Sequence, residues 1–396
     1  MNTKCTENSV IIALEGRIDA TNAPQVESEI SAVISENPNL TPVFYADSLA
    51  YISSAGLRIL MKFCKSTGKK LSVTNVSKEI FEIFDTTGFT NILDVQKKLR
   101  EISVEGCELL GQGGNGSVYR LDDDKIVKVY KPYMTREVID REREFARNAF
   151  MNGVPSVIAY DLVRCGDSFG VVFEMIKSKT LGATIKDNPD KLEEYVDKYV
   201  ALAKQLHSVH AAPGTFSNLK TVLHERVPRL AQWCSKEELS LLDSLIDCIP
   251  DCDTLIHNDL HPGNIMIQDG ELLLIDMPEV TTGPALYDLA GIYRDMILAT
   301  QGNSSSEIER SVGLPKDVIF KIGNMFFQKY TGITDKEGLE KYYQQLGLIC
   351  AFNVTLVVAT GAEKAMQLAP ILMDKMLRAV VIPNEQALRH ILSSAK

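Results

Sequence analysis

The chain has 396 residues, of which 45% are hydrophobic and 24% charged, and its formal net charge is −10. This composition describes a globular protein of two or three compact units, because a single core seldom serves more than about 250–300 residues. The acidic excess lies in residues 101–396, since residues 1–100 are balanced in charge. An acidic surface repels phosphate backbones, so we expect no nucleic-acid partner.

Neither the cysteines nor the apolar segments indicate secretion or a membrane. The eight cysteines form no C-x-x-C pair, which predicts reduced thiols in a cytoplasm rather than disulfides or a zinc site. Residues 1–10 lack the apolar core of a signal peptide, and polar side chains interrupt the most apolar window, residues 346–362. We therefore expect a cytoplasmic protein, with a buried helix in that window and no membrane span.

Residues 9–95 alternate short apolar runs with helical patterns, which predicts a small α/β domain. Strands are expected at residues 10–14, 43–46 and 71–73, and helices at residues 25–34, 57–65 and 79–85. Ser53 or Ser54 can cap the second helix. Gly56 and Gly88 are predicted to occupy tight turns.

Two segments of this domain carry the residues of a known family. The sequences GRID at residues 16–19 and YISSAGLR at residues 51–58 resemble the STAS domain of anti-sigma factor antagonists, and the resemblance covers nearly all of residues 1–102. It implies that Ser54 is phosphorylated by a partner kinase, and that this domain docks an anti-sigma or switch-kinase-like protein. Ser53 stands where the family often has Asp. A purely structural helix cap is the alternative role for Ser54.

A glycine-rich turn follows at residues 109–119, LLGQGGNGSVY, between two apolar strands. Glycines let backbone amides approach phosphates closely, because no Cβ stands in the way. The chain continues as strand at residues 118–121 and 126–130, and the absence of a helical pattern at the glycines excludes a dinucleotide-binding βαβ unit. The predicted nucleotide contacts of this turn are Gly111, Gly113, Gly114, Asn115 and Gly116.

The most specific pattern is HNDLHPGN at residues 257–264, followed by Asp276 at the end of an apolar run. Phosphoryl transfer requires a carboxylate that orients the attacking hydroxyl, and oxygen ligands that hold Mg²⁺ against the phosphates. Asp259, Asn264 and Asp276 supply these groups at the spacing of a kinase catalytic loop. The form HNDLHPGNIM resembles the aminoglycoside phosphotransferase and choline kinase superfamily more than the protein kinases.

This second resemblance implies ATP and Mg²⁺ as cofactors. Asp259 would take the proton of the acceptor hydroxyl, while Asn264 and Asp276 would bind Mg²⁺. Lys128, inside the strand at residues 126–130, would contact the α- and β-phosphates. Glu142 would position Lys128.

Further residues take supporting roles by the same resemblance. Glu144 is the alternative to Glu142, on the helix expected at residues 136–148. The backbone at Glu174 and Ile176 would meet adenine at a hinge between two lobes. Asp288 would steady the catalytic loop through backbone amides.

We therefore predict an α/β STAS-like domain at residues 1–102, joined to an α+β bilobal protein-kinase-like domain at residues 103–396. Its small β-rich N-lobe would span residues 103–176, and its large helical C-lobe residues 177–396, with residues 191–250 helical throughout. The predicted activity is phosphorylation of a small-molecule hydroxyl. The alternatives are a protein serine kinase of a partner-switching pathway, acting on Ser54, and a nucleotide-binding module without turnover.

Overall fold

The computed structural model describes residues 1–6, 8–68, 70–302, 305–361 and 363–395. Its chain divides into two compact units, Met1–Ile102 and Ser103–Lys396.

The first unit is built around a five-stranded sheet with helices between its strands. In spatial order the strands are Thr3–Cys5, Ser9–Ala13, Thr41–Tyr45, Ser72–Val76 and Asp94–Lys97; the first pair is antiparallel and the others are parallel. A second, parallel pair joins Gly16–Ile18 to Leu49–Ile52. The helices are Ala23–Glu36, Ser54–Thr67 and Lys78–Thr86, with a 3₁₀ turn at Phe89–Asn91. The predicted α/β domain is confirmed.

The helix Ser54–Thr67 settles two expectations about its first turn. The Ser53 hydroxyl accepts a hydrogen bond from the Ala55 amide at 3.2 Å, so Ser53 is the cap, and Ser54 is the exposed first helical residue. The prediction of a tight turn at Gly56 is wrong, because a Cβ there would lie 2.6 Å from Cγ1 of Ile52. Gly56 allows close packing of the helix on a strand, whereas Gly88 does occupy a left-handed turn, at φ +75°.

The second unit begins with a β-rich lobe. Its antiparallel strands lie in the order Leu109–Gln112, Gly116–Arg120, Lys125–Tyr130, Ser168–Glu174 and Ala159–Cys165. A single long helix, Arg136–Met151, connects Lys125–Tyr130 to Ala159–Cys165 in the sequence, and it buries Ile139, Glu142 and Phe145. A two-residue strand, Arg100–Glu101, precedes the unit.

The rest of the second unit is largely helical. Its α-helices are Leu181–Asp187, Leu192–His207, Leu219–Arg226, Lys236–Asp247, Leu286–Tyr293, Ala299–Gln301, Ser305–Val312, Lys316–Thr331, Lys336–Val357, Glu363–Gln367, Ala369–Leu372 and Glu385–Ser393. Short strands lie at Ser217–Asn218, Leu255–Ile256, Ile265–Gln268, Glu271–Leu274 and Thr281–Thr282. π-Helical segments lie at Arg294–Leu298 and Met373–Val381, and 3₁₀ turns at Pro189–Lys191, Val227–Leu230, Pro262–Asn264, Val358–Thr360 and Ile382–Asn384.

Two expectations for this lobe have different outcomes. The prediction that residues 191–250 are helical throughout is wrong, because an irregular segment and the strand Ser217–Asn218 follow the helix that ends at His207. The apolar window near residue 350 does form a helix. Lys336–Thr360 is long and apolar enough to cross a membrane, yet half of its most apolar window is buried within the protein.

Candidate active site

The catalytic-loop sequence leads directly into a β-hairpin that brings its two ends together. Strand Ile265–Gln268 pairs with Glu271–Leu274 so that Ile265 lies opposite Leu274. Asn264 immediately precedes this hairpin and Asp276 follows it by two residues. The Ile275 amide donates to the Asn264 carbonyl at 3.0 Å. The hairpin register therefore places the two predicted metal ligands side by side.

Asp259 and Asn264 are hydrogen-bonded to each other. Nδ2 of Asn264 donates to Oδ2 of Asp259 at 2.8 Å and to the Asp259 carbonyl at 3.0 Å. The Asp259 side chain is 46% exposed, so the same carboxylate remains open to an incoming hydroxyl. The amide oxygen of Asn264 is the end of that side chain left for another ligand.

Lys128 joins the β-rich lobe to the helical lobe. Its Nζ lies 2.7 Å from Oε1 of Glu142 and 2.7 Å from Oδ1 of Asp276. Glu142, rather than Glu144, is therefore the lysine's helix partner, since Glu144 lies 4.0 Å from Arg143 on another face. Three of the predicted site residues converge in one ion cluster.

The charges in this cluster act on one another strongly because it is largely closed to water. Burial disfavours the charge of Lys128, but Asp276 and Glu142 outweigh that effect and raise the pKa of Lys128. Burial raises the pKa of Glu142, which is 3% exposed, and Lys128 offsets this only in part. Asp276, 42% exposed, is the member of the cluster that faces solvent.

The buried carboxylate of Asp288 holds the catalytic loop through hydrogen bonds to the loop's backbone. Its two oxygens accept the backbone amides of His257 at 2.8 Å and Asn258 at 2.6 Å. His207 adds a contact from Nε2 at 3.0 Å. Burial opposes the Asp288 charge, yet His207 and the loop outweigh it, and the pKa of Asp288 lies below its usual range. Asp288 thus fixes the backbone from which Asp259 projects.

Two residues of the site adopt left-handed backbone conformations. Asn258 has φ +65° and Asp276 has φ +60°. Asn and Asp tolerate this region better than other non-glycine residues, because their short side chains hydrogen-bond locally. Nδ2 of Asn258 donates to the Glu279 carbonyl at 2.7 Å and to Oγ1 of Thr281 at 3.0 Å. These bonds hold the residue that directly precedes Asp259.

The glycine-rich turn contains glycines of two kinds. A Cβ on Gly116 would lie 2.3 Å from the Val129 carbonyl, so packing against the neighbouring strand requires this glycine. A Cβ on Gly111, Gly113 or Gly114 would meet nothing within 4 Å. Asn115 is exposed in the same turn. The turn therefore leaves open space above Gly113 and Gly114.

The predicted hinge, at Glu174 and Ile176, is held by a side-chain hydrogen bond as well as by backbone hydrogen bonds. Oε1 of Glu174 accepts the Ile158 amide at 2.6 Å, and the Met175 amide donates to the Asp124 carbonyl at 2.8 Å. Ile176 is buried at the exit of this segment. These contacts fix the chain where it passes from one lobe to the other.

The family model for the phosphotransferase enzyme family matches residues 106–310, the range that contains every group of this cluster. The chain belongs to the phosphotransferase enzyme family. A second family model, for the STAS domain, matches residues 1–102. The protein is therefore a STAS domain followed by a phosphotransferase domain of protein-kinase-like fold.

Individual proteins resemble each part of this phosphotransferase. The anti-sigma-B factor antagonist of Bacillus subtilis strain 168 is 26% identical over 101 residues, which are 25% of this chain and 91% of that protein. The gentamicin complex of APH(2")-IIa is 16% identical, covers 78% of this chain and 97% of its own, and has a TM-score of 0.44. A choline/ethanolamine kinase family protein from Mesorhizobium loti is 15% identical, covers 72% and 92%, and has a TM-score of 0.45.

The phosphotransferase domain also contains a cavity whose lining no sequence motif identified. This Asp259 cavity has a volume of about 790 Å³ and is lined by Asp259, His261, Arg294, Asp295 and residues of the helices after them. Residues 294–380 carry no motif, and their apolar spacing is that of any helical core. The one available signal was the adjacent Arg294-Asp295 pair in an otherwise apolar stretch.

Proposed function

We propose that this chain is an ATP- and Mg²⁺-dependent phosphotransferase that transfers the γ-phosphate to a hydroxyl group of a small molecule. The observation that carries the proposal is the convergence of Lys128, Glu142 and Asp276 beside the Asp259–Asn264 pair. Phosphoryl transfer depends almost entirely on positioning and on stabilisation of charge. The site supplies fixed groups that can position the substrates and stabilise the charge.

The residues present fit a magnesium ion. Mg²⁺ prefers oxygen ligands and is usually held by one or two carboxylates together with substrate phosphates and water. Asp276 is half-exposed and Asn264 has its amide oxygen away from Asp259, so the two can hold the ion from adjacent ends of the hairpin. When bound, the ion would neutralise charge on the nucleotide phosphates.

The remaining residues have separate tasks in the proposed reaction. Asp259 accepts a hydrogen bond from the acceptor hydroxyl and takes its proton as the new O–P bond forms, while the bond from the γ-phosphorus to the β–γ bridging oxygen breaks and ADP leaves. Lys128, held by Glu142, contacts the α- and β-phosphates, and the glycine-rich turn covers the phosphates with its backbone amides. Backbone groups at Glu174 and Ile176 receive the adenine.

Two features favour a small molecule over a protein as the acceptor. The segment between Asp276 and Asp288 is short, and two of its residues, Thr281 and Thr282, already pair with strands Leu255–Ile256 and Ser217–Asn218. This leaves little chain for an activation segment that could dock a peptide. The cavity of about 790 Å³ beside Asp259 lies within the size range of sites for small molecules.

A protein kinase acting on Ser54 is the second candidate, and one observation favours it. Ser54 is exposed at the first position of its helix, where a phosphate group would be stabilised by the helix dipole and free amides. The STAS domain would then dock an anti-sigma or switch-kinase-like protein according to the state of Ser54. We place both activities in the cytoplasm.

Transfer of label from [γ-³²P]ATP separates the candidates. The purified full chain is incubated with Mg²⁺, labelled ATP and a panel of alcohols, and the small-molecule and protein fractions are counted separately. We expect label in an alcohol and none in the Ser54 peptide. Label confined to that peptide would establish the protein-kinase alternative, and nucleotide binding without any transfer would establish the binding module.

The two kinds of glycine in the turn give a paired prediction. Gly116→Ala should lower the free energy of unfolding by about 1–3 kcal/mol, because its Cβ overlaps a strand carbonyl. Gly113→Ala should leave the thermal midpoint unchanged and raise the KM for ATP, because the new methyl group meets phosphate rather than protein. Thermal unfolding and ATP saturation of both variants check this. Equal effects of the two substitutions on KM would contradict the assigned role of Gly113.

A further inference from the structure

The Asp259 cavity lies entirely within the helical lobe, and its walls are mainly apolar. Leu298, Ile308, Val354, Met376 and Val380 line it. Two π-helical segments, Arg294–Leu298 and Met373–Val381, both contribute residues to this lining. π-Helical turns are rare and are frequent at functional sites, because they displace side chains from regular helical positions. Both therefore mark the cavity as a binding site.

The polar side chains that line the cavity already form hydrogen bonds or ion pairs with neighbouring groups of the protein. Nε and Nη2 of Arg294 donate to the two oxygens of Asp295 at 2.7 Å each. Nε2 of His261 lies 3.3 Å from Oγ of Ser311, and Nδ1 of His261 accepts the Gly263 amide at 3.1 Å. An acceptor would therefore find few unmatched donors or acceptors on these side chains.

The charges in the lining set a limit on the charge of the acceptor. Burial lowers the pKa of His261, so this ring is neutral at pH 7. The Cys350 thiol also remains protonated, because burial raises its pKa to about 12. Arg294 pairs with Asp295 and the proposed reaction uses Asp259 for the hydroxyl, so neither of these carboxylates is left to bind a polycation.

A polyhydroxylated or polycationic molecule is a poor match for such a cavity. Each hydroxyl or ammonium group that enters without a hydrogen-bonding partner costs free energy, whereas each apolar group that contacts the walls gains it. We propose that the acceptor is an alcohol on a mainly apolar scaffold rather than a polycation. Its hydroxyl reaches Asp259 and its apolar part packs against Leu298, Val354 and Met376. This inference rests on the proposed phosphotransferase function.

Rates of transfer from [γ-³²P]ATP by the full chain test the inference. The apolar acceptors are farnesol, geraniol and N-dodecylethanolamine, and the polar ones are kanamycin and glucose. We expect kcat/KM for an apolar acceptor to exceed that for kanamycin by about 100-fold, which corresponds to about 2.7 kcal/mol. A higher kcat/KM for kanamycin or glucose than for every apolar alcohol would overturn the inference and leave the proposed function intact. Transfer to none of them, by protein that binds MgATP, would overturn both.

A pair of leucine substitutions tests the place of binding. Leu298 lines the cavity and is 41% exposed, while Leu368 lies outside its lining and is 40% exposed. Leu298→Asp should lower kcat/KM for the apolar alcohol about tenfold or more, with the KM for ATP unchanged. Leu368→Asp should have no such effect. Leu298→Ala, which preserves helix propensity, should give a smaller loss in the same direction and excludes a folding defect. Equal losses of kcat/KM for the apolar alcohol in Leu298→Asp and Leu368→Asp would overturn the assignment of the Asp259 cavity as the acceptor site.

Discussion

Asp259→Asn should lower kcat by about 10³-fold, the usual scale for removal of a positioned general base. The asparagine keeps the shape of the side chain, and its oxygen can still accept the bond from Nδ2 of Asn264. It cannot take a proton from the acceptor. Because the nucleotide contacts the other groups of the site, MgATP affinity should remain unchanged. Steady-state kinetics and calorimetric titration with MgATP measure the two effects separately.

A matched control lies in the hairpin that follows the catalytic loop. Asp269 is exposed at the hairpin turn and has φ +51°, a conformation that asparagine tolerates equally well. Asp269→Asn makes the same change of charge ten residues from Asp259, and it should leave kcat and KM unaltered. Undiminished turnover in Asp259→Asn would reject the assignment of the general base.

Lys128→Met should impair both nucleotide binding and stability. Loss of a charge-assisted contact with the phosphates should reduce kcat/KM for ATP by about 100-fold. The substitution also leaves Glu142, 3% exposed, without its cationic partner. Breaking a buried ion pair costs about 3 kcal/mol, so the thermal midpoint of the full chain should fall as well. Kinetics at varied ATP and thermal unfolding measure the two losses.

Two variants separate the stability effect of Lys128→Met from its effect on the nucleotide. Lys125 lies on the same strand but is 48% exposed, and its Nζ lies 3.7 Å from Oδ2 of Asp122. Lys125→Met should therefore change neither the thermal midpoint nor kcat/KM for ATP. Glu142→Gln keeps the lysine and removes its buried partner. Glu142→Gln should reduce kcat/KM for ATP less than Lys128→Met does, because Asp276 still holds Nζ of Lys128. Normal ATP kinetics in Lys128→Met would contradict its placement on the phosphates.

The parts of the site that the sequence predicted are those encoded by local patterns. Asn264 and Asp276 flank a hairpin of two apolar runs, and pairing of those runs brings the residues together without help from the rest of the chain. The glycine-rich turn is likewise a local hairpin. The α/β character of residues 1–102 was visible because buried strands there alternate with amphipathic helices.

What the sequence could not predict depends on contacts between distant residues. The bond from Lys128 to Asp276 spans 148 positions, and the cavity draws its walls from residues 259–380. The short strand Gly16–Ile18 was missed because three residues carry no measurable period. Residues 208–218 are a different case, because they were taken as helix although Pro213 and Gly214 there mark a turn. Tertiary packing decides the lysine contact and the cavity walls.

The proposed function requires that Asp276 and Asn264 hold a cation for the nucleotide whose phosphates meet Lys128. Calorimetric titration of ATP into wild-type protein and Asp276→Asn, with and without Mg²⁺, tests it most directly and requires no knowledge of the acceptor. We expect Mg²⁺ to strengthen ATP binding to the wild type and Asp276→Asn to lose this dependence. ATP affinity that does not change with Mg²⁺ in the wild type, or an unchanged Mg²⁺ dependence in Asp276→Asn, would rule out these two residues as the cation ligands.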